Sequence, residues 1–161
     1  MSDGVVNIRF AGLGGQGVLK ASDILAAAAV RARYDVKKSE LHGMSQRGGS
    51  VTSDVRFGEK VFSPMIPAGE VDFLVVLNAD EAAAQEGELR NGGRRILPDR
   101  IKLDALESPR CLNVALLGYL SRWLEIDKKH WYAAIRAYLP VRAIKMNLDA
   151  FAEGRRASAE Q

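Results

Sequence analysis

Cysteine is almost missing from this chain: there is one, Cys111, in 161 residues. A disulfide framework within the chain is therefore excluded. So is a cysteine-ligated iron–sulfur cluster, whose irons are held by a set of thiolates. Histidine is nearly as scarce, with only His42 and His130, so a structural zinc site has no ligand set to draw on. Cys111 itself, between Arg110 and Leu112, reads as a buried packing thiol. Long apolar runs are also lacking. The longest, around Leu25 to Val30, is mostly alanine and too short to cross a bilayer. The opening MSDGVVNIRF has no basic stretch leading into an apolar one, so no signal peptide is expected. These absences lead to the expectation of a cytoplasmic protein with no membrane partner. Charge of one sign is not in large excess: 23 Lys and Arg against 20 Asp and Glu give a net +3. The cationic pairs Lys37-Lys38, Arg94-Arg95, Lys128-Lys129 and Arg155-Arg156 are scattered, and no nucleic-acid partner is expected.

The remaining composition is that of an ordinary globular protein, 47% hydrophobic and 27% charged. Its length suits one domain, expected over 1–153. The small, polar, charged stretch 154–161 is expected to be a flexible tail.

Val5 to Ala11 reads as a strand. Gly12 to Gly17 is a glycine-rich turn. Val18, Ala21, Leu25, Ala28 and Ala32 recur at helical spacing and predict a helix over 18–32. A short strand is expected at Tyr34 to Lys38. Val51 to Phe57 alternates, with Val51, Ser53, Val55 and Phe57 on one side, as a half-buried strand does. A turn at Phe57 to Val61 is expected to lead into a further strand at Val61 to Ser63. Asp72 to Leu77 is a continuous apolar run suited to a strand buried on both faces. A helix is expected from Glu81 to Leu89 with Asp80 as N-cap, closed by Asn91-Gly92-Gly93 and followed by a strand at Arg95 to Leu97. The last third predicts helices over 112–124, 128–139 and 144–152, with Pro140 separating the final two. The whole pattern predicts a three-layer, Rossmann-like α/β domain with a mixed, mostly parallel sheet and a helical C-terminal part.

Gly12-Leu13-Gly14-Gly15-Gln16-Gly17 fits G-x-G-x-x-G, between a strand and a helix. Glycines permit the tight turn, and a helix N-terminus presents free N–H groups to an anion. Val18 and Leu19 stand where a phosphate-binding P-loop needs Lys and Ser or Thr, so a nucleotide triphosphatase is excluded. A dinucleotide site places an acid about 20 residues on. Here that count reaches Lys37 and Lys38, with Glu40 slightly late. Cations there suit a ligand with an extra phosphate, such as NADP or coenzyme A. Two readings stay open: an anion site, or glycines that let strand and helix pack closely.

The stretch SELHGMSQRGGSV, Ser39 to Val51, is richer than a connection needs. His42, Ser45, Gln46 and Arg47 supply hydrogen-bonding groups, while Gly43, Gly48 and Gly49 free the backbone. In a doubly wound sheet this loop leaves from the same edge as the glycine turn, so the two are expected side by side. No acid completes a nucleophile–base–acid set with His42 and Ser45.

These pieces together resemble the gamma-type subunit of the 2-oxoacid:ferredoxin oxidoreductases, the indolepyruvate type above all. The matching segments are GLGGQGVLKASDILAAAA, VKKSELHGMSQRGGSVTSDVRFG and SPMIPAGEVDFLVVLNADEA, then more weakly NVALLGYLSRWLEI and NLDAFAEG. The likeness covers nearly the whole chain, although Arg95 to Leu112 is shorter than the family's segment there. The resemblance implies a subunit that binds no cluster, in an enzyme that oxidatively decarboxylates a 2-oxoacid, here an arylpyruvate, to an acyl-CoA. Thiamine diphosphate and iron–sulfur clusters would lie on an alpha-type partner, which passes electrons to ferredoxin. The resemblance also associates this domain with coenzyme A, and implies that the SELHGMSQRGG loop meets either coenzyme A or the partner subunit near the thiamine site. The candidate contacts are Gly12, Gly14, Gly15, Gln16 and Gly17 in the turn, and His42, Ser45, Gln46, Arg47 and Gly48 in the loop, with added charge from Lys37 or Lys38. Two alternatives stay open. One is a gamma subunit acting on pyruvate, a branched-chain 2-oxoacid or 2-oxoglutarate. The other is a stand-alone nucleotide-binding module.

Overall fold

The computed structural model describes residues 4–42 and 48–160. In chain order the elements are β1 (Val5–Leu13), α1 (Val18–Arg31), β2 (Asp35–His42), β3 (Ser50–Gly58), β4 (Val71–Val76), the short α2 (Ala82–Gln85), β5 (Leu89–Ile96), α3 (Leu112–Ser121), α4 (Lys128–Tyr138) and α5 (Val141–Ala159). The strands form one sheet in the order β2-β3-β1-β4-β5. β3 runs antiparallel to both of its neighbours, while β1–β4 and β4–β5 are parallel. The sheet is thus mixed in equal parts rather than mostly parallel, because the long alternating strand at 50–58 inserts between β1 and β2. A consequence follows for direction. β1, β2, β4 and β5 all point the same way, so their following loops leave from one edge.

One face of the sheet carries the helices. Ile8 and Phe10 of β1, Val55 and Phe57 of β3, and Val75 of β4 join α1, α3, α4 and α5 in one large buried cluster. The small face of α1, with Ala21, Ala28 and Ala29 fully buried, brings that helix close to the sheet. α3 and α5 approach more closely still. A Cβ on Gly118 would overlap the Phe151 carbonyl, and one on Gly154 would overlap the Ala115 carbonyl. This contact corrects the expected tail at 154–161. Residues 154–159 are the end of α5, seated because Gly154 has no side chain, with Gly154 and Ser158 both buried.

The other face is thinly covered. A small cluster forms where Ile66, Ala82, Leu89 and Leu97 pack on Ala11, Leu74 and Val76. Beside it lies an ionic patch: Arg9 grips Asp54 through Nε and Nη2 at 2.7 and 2.8 Å.

Three local expectations differ from the structure. No strand forms at Val61 to Ser63, because side chains satisfy that backbone instead. The Val61 N–H donates to Asp35 at 2.8 Å, and Arg56 Nη1 donates to the carbonyls of Ser63 and Met65 at 2.8 and 3.0 Å. The helix expected over 81–89 is α2 with 3-10 turns on either side, and its cap is Asn78, whose side chain accepts from the Asp80 N–H. Asn91-Gly92-Gly93 does not end a helix. It lies inside β5, where the pairing with β4 is shifted between Val71 and Phe73.

Candidate functional site

Three connections meet at the edge where β1, β2 and β4 end. The chain leaves β1 through Gly14 to Gly17, and α1 starts from Gly17 at φ +83°, a conformation that suits glycine. After β4, the Leu77 N–H donates to the Ala11 carbonyl at 2.8 Å and keeps that connection against β1. From the β2–β3 side, the Gly49 carbonyl accepts from the Gly14 N–H at 2.9 Å. Gly48 and Gly49 are therefore neighbours of the glycine turn, as the strand directions require. Ser45, Gln46 and Arg47 lie outside the described residues, as do Gly43 and Met44.

The turn is narrower as an anion site than its six residues suggest. The Gly14 N–H is committed to Gly49, and the Gln16 N–H donates to the Leu13 carbonyl at 3.2 Å. Gln16 also folds back, its Oε1 accepting from the Leu13 N–H at 2.7 Å. Gly12 is packed tightly: a Cβ there would lie 2.8 Å from Val18 Cγ2 and 3.2 Å from Leu77 Cβ. Gly12, Gly14 and Gln16 thus shape the turn. What remains for a ligand is Gly15, Gly17 and the first turn of α1, where the leading N–H groups have no partner within the helix. No side chain caps that helix and no acid sits in its first turn, so its positive dipole end is not neutralised.

Two shallow grooves flank Gly15 and Gly17. One, of 390 Å³, is walled by Leu13, Val18, Lys20 and His42. The other, of 510 Å³, runs between Gln16, Leu77, Arg110 and Asn113. His42, half exposed at the end of β2, stands 4.0 Å from Glu40 Oε2. Gly48 sits beside the turn at φ +65°. The expected charge from Lys37 or Lys38 is absorbed elsewhere. Burial works against the Lys38 ammonium, but bonds to Asp23 and Glu40 outweigh it and hold its pKa above the ordinary lysine value. Lys37 lies 3.4 Å from Asp35. Arg110 is one cation that sequence reasoning missed at this edge; Lys20 is another, its Nζ donating to the Tyr138 carbonyl at 3.2 Å. Ser108 places Arg110, accepting from the Arg110 N–H at 3.2 Å as the chain turns into α3. Asn113 was missed as well: it donates to the Gly17 carbonyl at 3.2 Å. Nothing in the spacing of the sequence brings 110–113 to residue 17; only the packing of α3 beside α1 does.

The described residues carry no catalytic set. Ser53 and Ser22 bond to each other at 2.8 Å in the core. Cys111 is 2% exposed, and burial, with Glu107 adding to it, pushes its thiol pKa up, away from a reactive thiolate. Among the described residues no cluster of His, Cys, Asp and Glu is placed to hold a metal, and a single buried cysteine does not fit an iron–sulfur cluster. No helix among them is long and apolar enough to cross a membrane. Among the described residues the edge thus presents the unpaired leading N–H groups of α1 beside two open grooves, with Arg110 at one of them.

The family model for pyruvate ferredoxin/flavodoxin oxidoreductase matches residues 7–157. The chain belongs to this family. Among curated family members, the indolepyruvate oxidoreductase subunit IorB of Pyrococcus horikoshii is 31% identical over 194 aligned positions, spanning 96% of each chain. That alignment is longer than the 161 residues present here, so the relative carries residues that this chain lacks. Among solved structures, the gamma subunit of a keto/oxoacid ferredoxin oxidoreductase from Geobacter sulfurreducens shares the fold at TM-score 0.74 and 21% identity, over 97% of this chain and 99% of that one. The 2-oxoglutarate:ferredoxin oxidoreductase of Magnetococcus marinus, solved with 2-oxoglutarate, coenzyme A and succinyl-CoA, superposes at TM-score 0.83 and 19% identity. There the fold accounts for only 32% of a longer chain, while covering 99% of this one.

Proposed function

We propose that this chain is the small subunit of an indolepyruvate-type 2-oxoacid:ferredoxin oxidoreductase, and that its glycine-turn edge holds coenzyme A against a larger partner. The likeness to IorB across nearly the whole of both chains carries the subunit reading. The lack of a catalytic set or a cluster-binding residue set among the described residues supports a division of labour. The larger, alpha-type subunit would bring thiamine diphosphate and the iron–sulfur clusters and pass electrons to ferredoxin. The hard chemistry belongs to those groups. This chain's residues bind and orient.

In that role Gly15, Gly17 and the leading N–H groups of α1 face the phosphates of coenzyme A, with Arg110 on one side and His42 and Lys20 on the other. Gly12, Gly14, Gln16 and Gly48 set the shape of the turn and its neighbour. Ser45, Gln46 and Arg47 are assigned to the same contact by their sequence alone. Arg47→Ala is expected to raise the KM for coenzyme A or to weaken assembly, and unchanged kinetics with unchanged assembly would remove Arg47 from the site.

The substrate class has a second reading, since the Magnetococcus protein is named for 2-oxoglutarate. Anaerobic co-expression with the larger subunit, followed by coenzyme A-dependent dye reduction on a panel of 2-oxoacids, separates them. Arylpyruvates are expected to be the best substrates. Preference for pyruvate, a branched-chain 2-oxoacid or 2-oxoglutarate would replace the indolepyruvate assignment. Tight binding of NADP to this chain alone would favour a stand-alone nucleotide-binding module.

A further inference from the structure

A cleft of 390 Å³ lies at the edge of the sheet opposite the glycine turn, where β1, β4 and β5 begin. Val6 and Phe57 wall it from the helix-covered face, and the α3–α4 connection borders it with Trp123 and Leu124. A bulge in β5 builds it. Leu89 pairs with Val71 and Arg94 with Phe73, so residues 90–93 stand opposite Asp72 alone. Glycine suits the centre of this bulge. Gly92 has φ +79°, and a Cβ on Gly93 would lie 2.8 Å from Leu89 Cδ1 and 2.9 Å from the Val71 carbonyl oxygen. Bulges re-aim side chains and are common beside functional sites. Here Asn91-Gly92-Gly93, which the sequence pattern places at a helix end, brings Arg90 and Arg94 to the cleft.

The walls are aromatic and fixed. The Tyr34 and Phe57 ring centres are 5.1 Å apart. The Tyr34 hydroxyl donates to the Glu125 carbonyl at 3.0 Å and ties that wall to the α3–α4 connection. Trp123 meets the Tyr119 ring at 5.1 Å and carries the Arg94 guanidinium 4.5 Å from its own ring centre. A guanidinium lying on an indole keeps its N–H fork free for a carboxylate. No acceptor among the described residues takes that fork. The other charges at the cleft differ. Asp72, 4% exposed, accepts from the Asn7 N–H at 2.8 Å and pairs with Arg90. Glu125 is exposed at the rim. One unpaired cation beside two carboxylates suits a monoanion and disfavours a dianion.

We infer that this cleft is a second ligand site and that it takes a small aromatic monocarboxylate. The ring of the ligand lies among Tyr34, Phe57 and Trp123, and Arg94 receives its carboxylate. The volume suits an acid of one or two rings, and an apolar wall with a few placed polar groups is the usual form of such sites. Binding here is independent of the subunit reading, because the cleft shares no residue with the glycine-turn edge.

The test titrates the purified chain with phenylacetate, with its uncharged analogue phenylacetamide and with phenyl phosphate, by calorimetry and by tryptophan emission. Trp131 is fully buried, so a change in emission reports Trp123. Phenylacetate is expected to bind with a Kd on the order of 0.1 mM, and roughly tenfold tighter than either analogue. That ratio tests the charge contact without any variant. Arg94→Gln changes a side chain already in solvent. It is expected to melt like wild type, to bind phenylacetate roughly tenfold more weakly and to leave phenylacetamide unchanged. Arg142→Gln removes an exposed cation at the start of α5 and is expected to bind phenylacetate like wild type. Absence of phenylacetate binding at millimolar concentration overturns the inference. So does an amide that binds as tightly as the acid, or an acid that binds Arg94→Gln as tightly as wild type. Phenyl phosphate binding more tightly than phenylacetate also overturns it, since the cleft would then be a phosphate site.

Discussion

The two faces of the sheet are built on different principles. On the helix-covered face, side chains of four helices and the sheet share one dry cluster, and α3 and α5 touch backbone to backbone through Gly118 and Gly154. On the other face, a small apolar cluster lies beside charged pairs, and a clamped loop turns Phe62 and Met65 outward. The first face uses burial to make the fold stable, since apolar area removed from water is the main favourable term in folding. The second holds groups in fixed positions, at the cost of leaving apolar surface uncovered. Burial is thus concentrated on one side of the sheet, and the glycine-turn edge lies where the two faces meet.

Substitutions sharpen this contrast, beginning with the helix-covered face. Phe151, fully buried against the Trp131 and Tyr132 rings at 5.4 and 5.8 Å, is the largest single loss. Phe151→Ala is expected to cost about 4 kcal/mol in chemical denaturation. Gly154→Ala drives a methyl into the α3 backbone and is expected to cost about 3 kcal/mol, read from the same denaturation curves. A cost below about 1 kcal/mol for either would mean that this face is less tightly closed than described.

The thin face responds less. Arg9 and Asp54 have side chains only 16% and 12% exposed, so Asp54→Ala leaves a guanidinium partly buried with Gln85 and Glu88 as its remaining polar neighbours. An expected loss of about 2 kcal/mol follows. Asp35 gives the smallest effect, and it depends on pH. The Val61 N–H, with help from Lys37 and Lys60, holds its carboxyl pKa below the ordinary aspartate value. A group with a lowered folded pKa stabilises above its unfolded pKa, and that stability is lost as pH falls through the folded one. Asp35→Asn is therefore expected to shift the melting temperature slightly downward at pH 7 and to leave it unchanged in strong acid. A shift that grows on acidification would contradict this role.

The sequence and the structure agree best where periodicity is strong. α1, β3 and α4 lie close to where spacing puts them because each buries one continuous face, and β4 because it is buried on both. The same reasoning misjudged 154–159. The small, polar letters there resemble a tail, yet Gly154 is small because α3 presses on it. Val61 to Ser63 resembled a strand by its β-branched and aromatic residues, and Asp35 and Arg56 took its backbone groups instead. At the site, strand direction alone put Gly48 and Gly49, just before β3, beside the glycine turn. Arg110 and Asn113 were not legible there, since roughly a hundred residues of chain and the docking of α3 separate them from Gly17.

The most direct test adds this chain, purified alone, to the larger subunit reconstituted under anaerobic conditions, and follows coenzyme A-dependent dye reduction with indolepyruvate. Neither component is expected to turn over alone, and activity is expected to rise with added chain until the two are equimolar. Full coenzyme A-dependent activity of the larger subunit without this chain would contradict the account.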